Sequence, residues 1–175
     1  IVTDGNRCLG IIARDSQGRY RAIQADETIL ASGGVGGLYD HSTNFPHLTG
    51  DALAIAMRHG VELEHIDYVQ IHPTSLYSKK PGRSFLISES VRGEGAKLRG
   101  KDGQRFANEV LPRDLMTAEI RKQMKKDDRP FVWLDMTVLG EDVIKHHFPH
   151  IYERCLEDGI DATKDWVPVT PAQHY

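Results

Sequence analysis

The stretch LGIIARDSQGRYRAIQADETILASGGVGG, residues 9–37, sets the expectation for the fold. It contains three short runs of β-forming residues, at 9–14, 20–23 and 28–31. The polar turn Asp15–Gly18 separates the first two runs, as a hairpin loop requires. The third run leads into a glycine-rich segment. These residues predict a small β-meander that ends in a turn.

The glycine-rich segment SGGVGG spans residues 32–37. Its glycines allow positive φ or the close approach of a ligand to the backbone. It lacks the GxGxxG spacing, with an acidic residue about 20 positions later, that marks a dinucleotide site. From the residues alone, a flexible turn and a turn that contacts a cofactor both remain open.

A short helix and an extended stretch are expected next. Residues 52–57 are small and apolar, with Thr49 as the N-cap and Gly60 as the C′ residue of the expected helix. An extended stretch over residues 61–71 ends at His72, because the proline that follows directs His72 away from the α region.

The character of the sequence changes from Leu76 onward, and the polar loop at residues 78–83 marks an expected domain boundary. Helices and strands alternate after it. A strand is expected at 85–87, a hairpin around 101–104 and a strand at 131–135. A helix is expected from Pro112 or Arg113 to about Lys126, with Leu115, Ala118, Ile120 and Met124 as its apolar stripe. A further helix is expected over 141–156, which Pro149 kinks or splits and Gly159 closes. This order predicts an α+β fold.

The composition favours a soluble protein with a small ligand. The net charge is −3 at pH 7 and charges of both signs are interleaved, which argues against nucleic-acid binding and a basic membrane patch. No apolar run approaches the roughly 20 residues that span a bilayer. Cys8 and Cys155 lie outside any CxxC spacing. Neither a disulfide framework nor a zinc site is indicated, and a cytoplasmic location is expected.

Polar groups beside glycine or proline are the candidates for chemistry, because rigid turns present them. They are His72, Glu89 with Arg92, Arg113 with Asp114, and His174. None has the spacing of a metal-ligand motif such as HExxH, so no metal is expected. Each also has a structural interpretation, since a histidine before proline is often a satisfied turn residue and an Arg-Asp pair at a helix start often forms a cap and a solvated ion pair.

Five short segments occur in the order and approximate spacing of one protein family. They are ASGG at 31–34, TGD at 49–51, QIHPT at 70–74, ESVRGEG at 89–95 and PRD at 112–114. With them the chain resembles, from Ile29 to Tyr175, the FAD-dependent flavoproteins of the succinate dehydrogenase, fumarate reductase and L-aspartate oxidase family. The resemblance implies the C-terminal part of an FAD-binding domain at 1–75, an α+β capping domain at 76–167 and a return to the FAD-binding domain at 168–175.

The resemblance also implies residue roles. The expected cofactor is FAD, contacted by Gly33, Gly34 and Asp51. The expected substrate is a small dicarboxylate, and the residues that would bind it are His72, Ser88, Glu89 and His174. In this family a hydride passes between C2 of the substrate and N5 of the flavin. The expected proton-transfer group is Arg113, with Glu89 and Arg92 as its relay.

Elementary chemistry supports part of this assignment. The planar fork of an arginine matches a carboxylate in a bidentate pair, which suits Arg113 as a carboxylate clamp. A pKa above about 12 keeps an arginine charged, so a proton-transfer role depends on a relay. Two positions depart from the family: Ser88 stands where threonine is usual and Gln173 where alanine is usual. Neither departure removes a reactive group.

Within the family, Pro112 and the segments 147–153 and 167–175 are most similar to the aspartate oxidases. That resemblance implies oxidation of L-aspartate to iminoaspartate, with oxygen or fumarate as electron acceptor, on the route to quinolinate and NAD. It leaves open self-association and a contact with quinolinate synthase. One alternative is a succinate dehydrogenase or fumarate reductase flavoprotein subunit, which needs an iron–sulfur subunit. Another is a non-catalytic capping module.

Family members begin with a strand and a GxGxxG turn and continue beyond the position of His174. This chain shows neither feature. We therefore expect it to be an internal piece that by itself neither retains FAD nor turns over.

Overall fold

The computed structural model describes residues 1–175 and divides into two compact units. Unit 1 comprises residues 1–35 and 48–68, and unit 2 comprises residues 36–47 and 69–175. No helix has both the length and the apolar character that a membrane crossing requires. The strands are β1 Val2–Asp4, β2 Arg7–Arg14, β3 Tyr20–Gln24, β4 Ile71–Leu76, β5 Lys97–Arg99, β6 Val132–Asp135 and β7 Val167–Gln173. The helices are α1 Asp51–Arg58, α2 Glu89–Gly93, α3 Arg113–Asp127, α4 Glu141–His147 and α5 Pro149–Glu157.

Unit 1 contains an antiparallel sheet in the order β1-β2-β3. The predicted hairpin between β2 and β3 is confirmed: Asp15 donates its N–H to Arg19 O at 3.0 Å and accepts the N–H of Gly18 at 2.9 Å. The predicted strand at 28–31 is wrong. No segment pairs with it, and Ile29 is 88% exposed. A β-forming run becomes a strand only when a partner completes its ladder.

Helix α1 is where the sequence predicts it, but its cap is different. Gly50, with φ 77°, is the N-cap in place of Thr49. Thr49 instead donates its hydroxyl to Asp51 Oδ1 at 3.1 Å. Gly60 closes the other end as expected, with φ 68° and its N–H on Met57 O at 3.1 Å. The predicted extended stretch at 61–71 forms no strand before Ile71.

Unit 2 contains a four-stranded antiparallel sheet in the order β4-β7-β6-β5. Strand β4 begins where the extended stretch was expected to end. The pairing of β4 with β7 shifts by one residue between His72 and Ser75, and Pro73 lies in this bulge. A bulge tolerates proline, which has no N–H to give to a ladder. His72 is thereby fixed beside an irregular point of the sheet.

The helices of unit 2 largely follow the predictions. Helix α3 starts at Arg113, directly after its N-cap Pro112. Of the two outcomes predicted at Pro149, a kink or a split, the structure shows a split between α4 and α5, and Gly159 closes α5 with φ 78°. The predicted strand at 85–87 is reduced to a single bridge between Ser75 and Leu86. The predicted turn at 101–104 is confirmed by the N–H of Gly100 on Gln104 O at 3.0 Å.

One apolar core holds unit 2 together. Its largest fully buried side chains include Ile87, Leu98, Met116, Ile120, Leu134 and Ile144. The two predicted domain boundaries, after residues 75 and 167, fall inside β4 and β7, whereas the compact units divide after residues 35, 47 and 68. The assignment of 76–167 to a capping domain stays a prediction.

Candidate functional site

Arg113 and Glu89 form a two-pronged ion pair between the first residues of α3 and α2. Arg113 Nε donates to Glu89 Oε2 at 2.9 Å and Nη2 donates to Oε1 at 3.2 Å. Arg113 Nη1 also donates to Gln70 Oε1 at 2.6 Å. Three of the five N–H donors of the guanidinium are thus occupied. The two that remain can bind a further acceptor.

The pair fixes the ionisation of both partners. The hydrogen bond that Arg113 donates to the Glu89 carboxylate holds the pKa of Arg113 above its usual value. In turn, the hydrogen bond from Arg113 holds the pKa of Glu89 below its usual range. Arg113 is therefore a cation in its resting state, and any proton it gives up must be replaced through a neighbour.

Two histidines face each other beside this pair, one on β4 and one just after β7. The ring centroids of His72 and His174 lie 5.6 Å apart at an angle of 70°. His72 is 1% exposed. Burial, followed by the charge of Arg113, lowers its pKa to about 4. Burial and Arg113 also lower the pKa of His174. Both imidazoles are therefore uncharged at neutral pH, and each has one ring N–H. Nδ1 of His72 lies 3.0 Å from Thr74 O and 3.2 Å from Thr74 N, so Nε2 of His72 is a donor when Nδ1 accepts the N–H of Thr74.

The buried neutral His72 makes stability depend on pH. The unfolded chain binds a proton at this ring below about pH 6.5, whereas the folded chain binds it only below about pH 4. We expect the full-length protein to lose up to about 3 kcal/mol of unfolding free energy from this group as pH falls from 6.5 to 4, with no loss above 6.5. Urea unfolding across this range, compared between wild type and His72→Gln, measures the effect.

The matched control is His150→Gln, because His150 is exposed. Its pH profile should coincide with that of wild type. Equal profiles for wild type and His72→Gln would contradict the assignment of a buried neutral imidazole.

Arg92 lies in α2, three residues after Glu89, and is 4% exposed. Its Nη1 donates to Glu109 O at 2.6 Å, while its Nε is buried without a partner. Burial lowers the pKa of Arg92, and the charges of Glu89 and Arg113 act on it in opposite directions. A cavity of about 340 Å³ is bordered by Arg92, Glu89, Glu109 and Arg113. The predicted relay residues therefore share one cavity.

The buried carboxylate of Glu109 holds the loop that positions Arg92. Arg105 donates two hydrogen bonds to this carboxylate, from Nε to Oε1 at 3.0 Å and from Nη2 to Oε2 at 2.7 Å. The N–H of Leu98 donates to Oε1 at 3.1 Å.

A larger cavity of about 450 Å³, bordered by Lys79, Lys80 and other residues, contains none of the candidate residues.

Ser88 is the N-cap of α2. Its Oγ accepts the N–H of Ser90 at 3.2 Å and donates to Ser90 Oγ at 3.1 Å. The hydroxyl thus has a local structural function, and its role toward a substrate stays a prediction. Asp114 lies in the exposed first turn of α3.

Two polar residues at the site were not singled out from the sequence. Gln70 is a partner of Arg113 at 2.6 Å, and Thr43 Oγ1 lies 2.7 Å from His174 Nδ1. Gln70 precedes the HPT motif, which could have drawn attention to it. Thr43 lies in a loop 131 residues from His174, and no local pattern indicates it.

The residues predicted to contact a flavin are in unit 1. Gly33 has φ 79°, and the N–H of Gly50 donates to Gly34 O at 3.1 Å. This bond joins the glycine turn to the start of α1, where Asp51 stands. A Cβ at Gly34 would meet no atom within 4 Å, so the backbone there is open to a flat ligand. The turn and Asp51 fit a flavin contact, and their role stays a prediction.

Comparison with known proteins defines the class. The model of the FAD binding domain family matches residues 1–175, and the chain belongs to this family. It is 46% identical over 172 residues to L-aspartate oxidase of Clostridium perfringens, covering 98% of this chain and 39% of the relative. It is 46% identical over 176 residues to L-aspartate oxidase of Clostridium acetobutylicum, covering 100% and 40%. The chain spans about two-fifths of the length of these relatives.

Solved structures agree on the fold. A quinol-fumarate reductase with menaquinol molecules has a TM-score of 0.87 and 32% identity, covering 99% of this chain and 34% of that chain. Mycobacterium smegmatis Sdh1 in complex with UQ1 has a TM-score of 0.74 and 30% identity, covering 99% and 31%. The predicted α+β fold and the predicted family are confirmed.

Proposed function

We propose that this chain supplies the dicarboxylate-binding residues of an FAD-dependent L-aspartate oxidase that converts L-aspartate to iminoaspartate. The observation that carries the proposal is the Arg113–Glu89 pair beside His72 and His174. A dianionic substrate needs several hydrogen-bond donors in one place. Arg113 has two free N–H groups, and each neutral histidine adds one.

The proposed roles follow from the contacts. Arg113 binds one carboxylate with its free N–H groups, while Glu89 and Gln70 keep the guanidinium plane fixed. His72 and His174 donate to carboxylate oxygens. Oxidation of the amine to an imine removes a hydride from C2 and a proton from nitrogen. FAD, held by Gly33, Gly34 and Asp51, supplies the hydride acceptor when bound.

The proposed proton path follows the contact between Arg113 and Glu89, with the buried Arg92 on the same cavity. Glu89 is ionised and touches Arg113, and Arg92 borders the same cavity. A proton can move directly between Arg113 and Glu89 in either direction, because the two side chains are in contact. Oxygen or fumarate is the proposed final electron acceptor, and the cytoplasm is the proposed location.

The alternative is a succinate dehydrogenase or fumarate reductase subunit, with which the solved structures at 32% and 30% identity are compatible. The two functions differ in substrate. Steady-state turnover of the full-length protein with FAD, on L-aspartate and on succinate side by side, separates them. We expect turnover of L-aspartate. Oxidation of succinate without any activity on L-aspartate would move the protein to the dehydrogenase branch.

A further inference from the structure

The segment Ser42–Asn44 runs alongside the end of β7 and holds it with several hydrogen bonds. Thr43 donates its N–H to Gln173 O at 2.8 Å, and Asn44 Nδ2 donates to His174 O at 2.7 Å. The backbone on either side of the His174 side chain is therefore fixed. The shortest side-chain contact is that of Thr43 Oγ1 with His174 Nδ1, at 2.7 Å.

A threonine hydroxyl can donate only one hydrogen, and Thr43 has two acceptors in reach. One is His174 Nδ1 at 2.7 Å and the other is Gln173 O at 3.3 Å. The carbonyl of Gln173 already has two other donors, the N–H of Thr43 at 2.8 Å and the hydroxyl of Ser42 at 3.3 Å. The hydroxyl of Thr43 is thus free for the closer acceptor.

The hydrogen of Ser42 is also accounted for. Ser42 Oγ accepts the N–H of Asn44 at 3.0 Å, so its own hydrogen points to another acceptor, which is Gln173 O. Ser42 and Thr43 are both buried. Two patterns fit these contacts: Thr43 donates to His174 Nδ1, or Nδ1–H donates to Thr43 while the Thr43 hydroxyl donates to Gln173 O. The shorter 2.7 Å contact, and the two other donors already on Gln173 O, favour the first pattern.

We propose that Thr43 is a positioning residue that sets the tautomer of His174, with Nδ1 as an acceptor and the hydrogen on Nε2. In this tautomer Nε2–H is the hydrogen-bond donor that a substrate carboxylate requires. In the other tautomer Nε2 would present a lone pair and repel a carboxylate. The lowered pKa of His174 supports a ring with a single hydrogen. The part of this inference that concerns substrate rests on the proposed function.

The direct test is the tautomer itself. The full-length holoenzyme is labelled with ¹⁵N-histidine, and the imidazole ¹⁵N chemical shifts of His174 are assigned by their loss in His174→Gln. We expect Nε2 to carry the hydrogen in wild type and in Thr43→Ser, which keeps the hydroxyl. In Thr43→Val the population should shift toward the Nδ1–H form. A hydrogen on Nδ1 in wild type, or no change in Thr43→Val, overturns the inference.

Kinetics gives a second readout. KM for L-aspartate should rise about tenfold in Thr43→Val, the size expected when one hydrogen bond to a charged group is lost, with a smaller change in kcat. Thr43→Ser should stay close to wild type. Thr117→Val is the matched control, because Thr117 is also buried and its hydroxyl has no partner.

The two hypotheses fail separately. If wild type does not turn over L-aspartate, the proposed function fails, whereas the ¹⁵N shifts still decide the tautomer. If Thr43→Val does not fold, the wild-type tautomer and the Thr43→Ser kinetics still decide the inference.

Discussion

Replacing Arg113 with lysine in the full-length protein is expected to lower kcat for L-aspartate by about a thousandfold. The guanidinium of Arg113 bonds Glu89 at two points and Gln70 at a third, and it keeps further N–H groups for a carboxylate. Lysine has no planar fork and cannot make all of these contacts at the same time. The substitution also removes the proposed proton-transfer group, and such groups contribute about 10² to 10⁴ in rate. Steady-state kinetics with the flavin content of each preparation measured would show the loss.

Arg121→Lys is the control for this substitution. Arg121 lies on the same helix α3, is exposed and forms no ion pair. Its substitution should leave kcat within about twofold of wild type, as surface changes usually do. If Arg113→Lys retained a third or more of wild-type activity, Arg113 would not be the proton-transfer group.

Replacing Glu89 with glutamine is expected to lower kcat for L-aspartate by about a hundredfold, at the lower end of the range for proton transfer. The pKa of Glu89 is held below its usual range by Arg113, so glutamine removes a charge that is present at neutral pH. The amide still offers one acceptor, but it cannot carry a proton to or from Arg113. KM should change less than kcat, because Glu89 acts on Arg113.

Glu94→Gln is the control. Glu94 lies one residue beyond α2 and pairs with His147 at 3.1 Å on the exposed surface. The comparison is made by measuring kcat of both variants and of wild type across pH 6 to 9. A Glu89→Gln enzyme with unchanged kcat and unchanged pH profile would contradict the relay.

Local patterns predicted most of the helices, because caps and prolines act over a few residues. Arg113 starts α3 and Pro149 separates α4 from α5, both as expected. The strand β7 was missed. Pro168 and Pro171 lie within it, and prolines argue against a central strand. The tertiary pairing with β4 and β6 outweighs that local signal.

The face of α3 could not be read from its sequence. Leu115 and Met116 are neighbours of similar apolarity, yet Leu115 is 51% exposed and Met116 is fully buried. The buried row of α3 consists of Met116, Thr117, Ile120 and Gln123. Of the predicted stripe, Ile120 is buried and Met124 packs against the core, whereas Leu115 and Ala118 are exposed. The two polar residues in the buried row, Thr117 and Gln123, interrupt the apolar periodicity by which the buried face of a helix is predicted. Which face points to the core depends on the sheet against which α3 packs.

The candidate site was also predicted only in part. Motifs identified His72, Glu89, Arg113 and His174, but only the fold brings them together, since no periodicity relates residues so far apart in the chain. The strand pair β4–β7 places the two histidines side by side. The supporting residues Gln70 and Thr43 belong to no motif that specifies their partners. Their roles follow from hydrogen bonds that only three-dimensional contacts reveal.

The most direct test of the proposed site is a crystal structure of the full-length protein with FAD and malonate, a dicarboxylate that has no amine and only one methylene carbon, so that neither an imine nor an alkene can form. We expect one carboxylate of malonate to lie within hydrogen-bond distance of Arg113, and His72 or His174 to contact the other. Malonate bound elsewhere, with no contact to Arg113 or to either histidine, would contradict it.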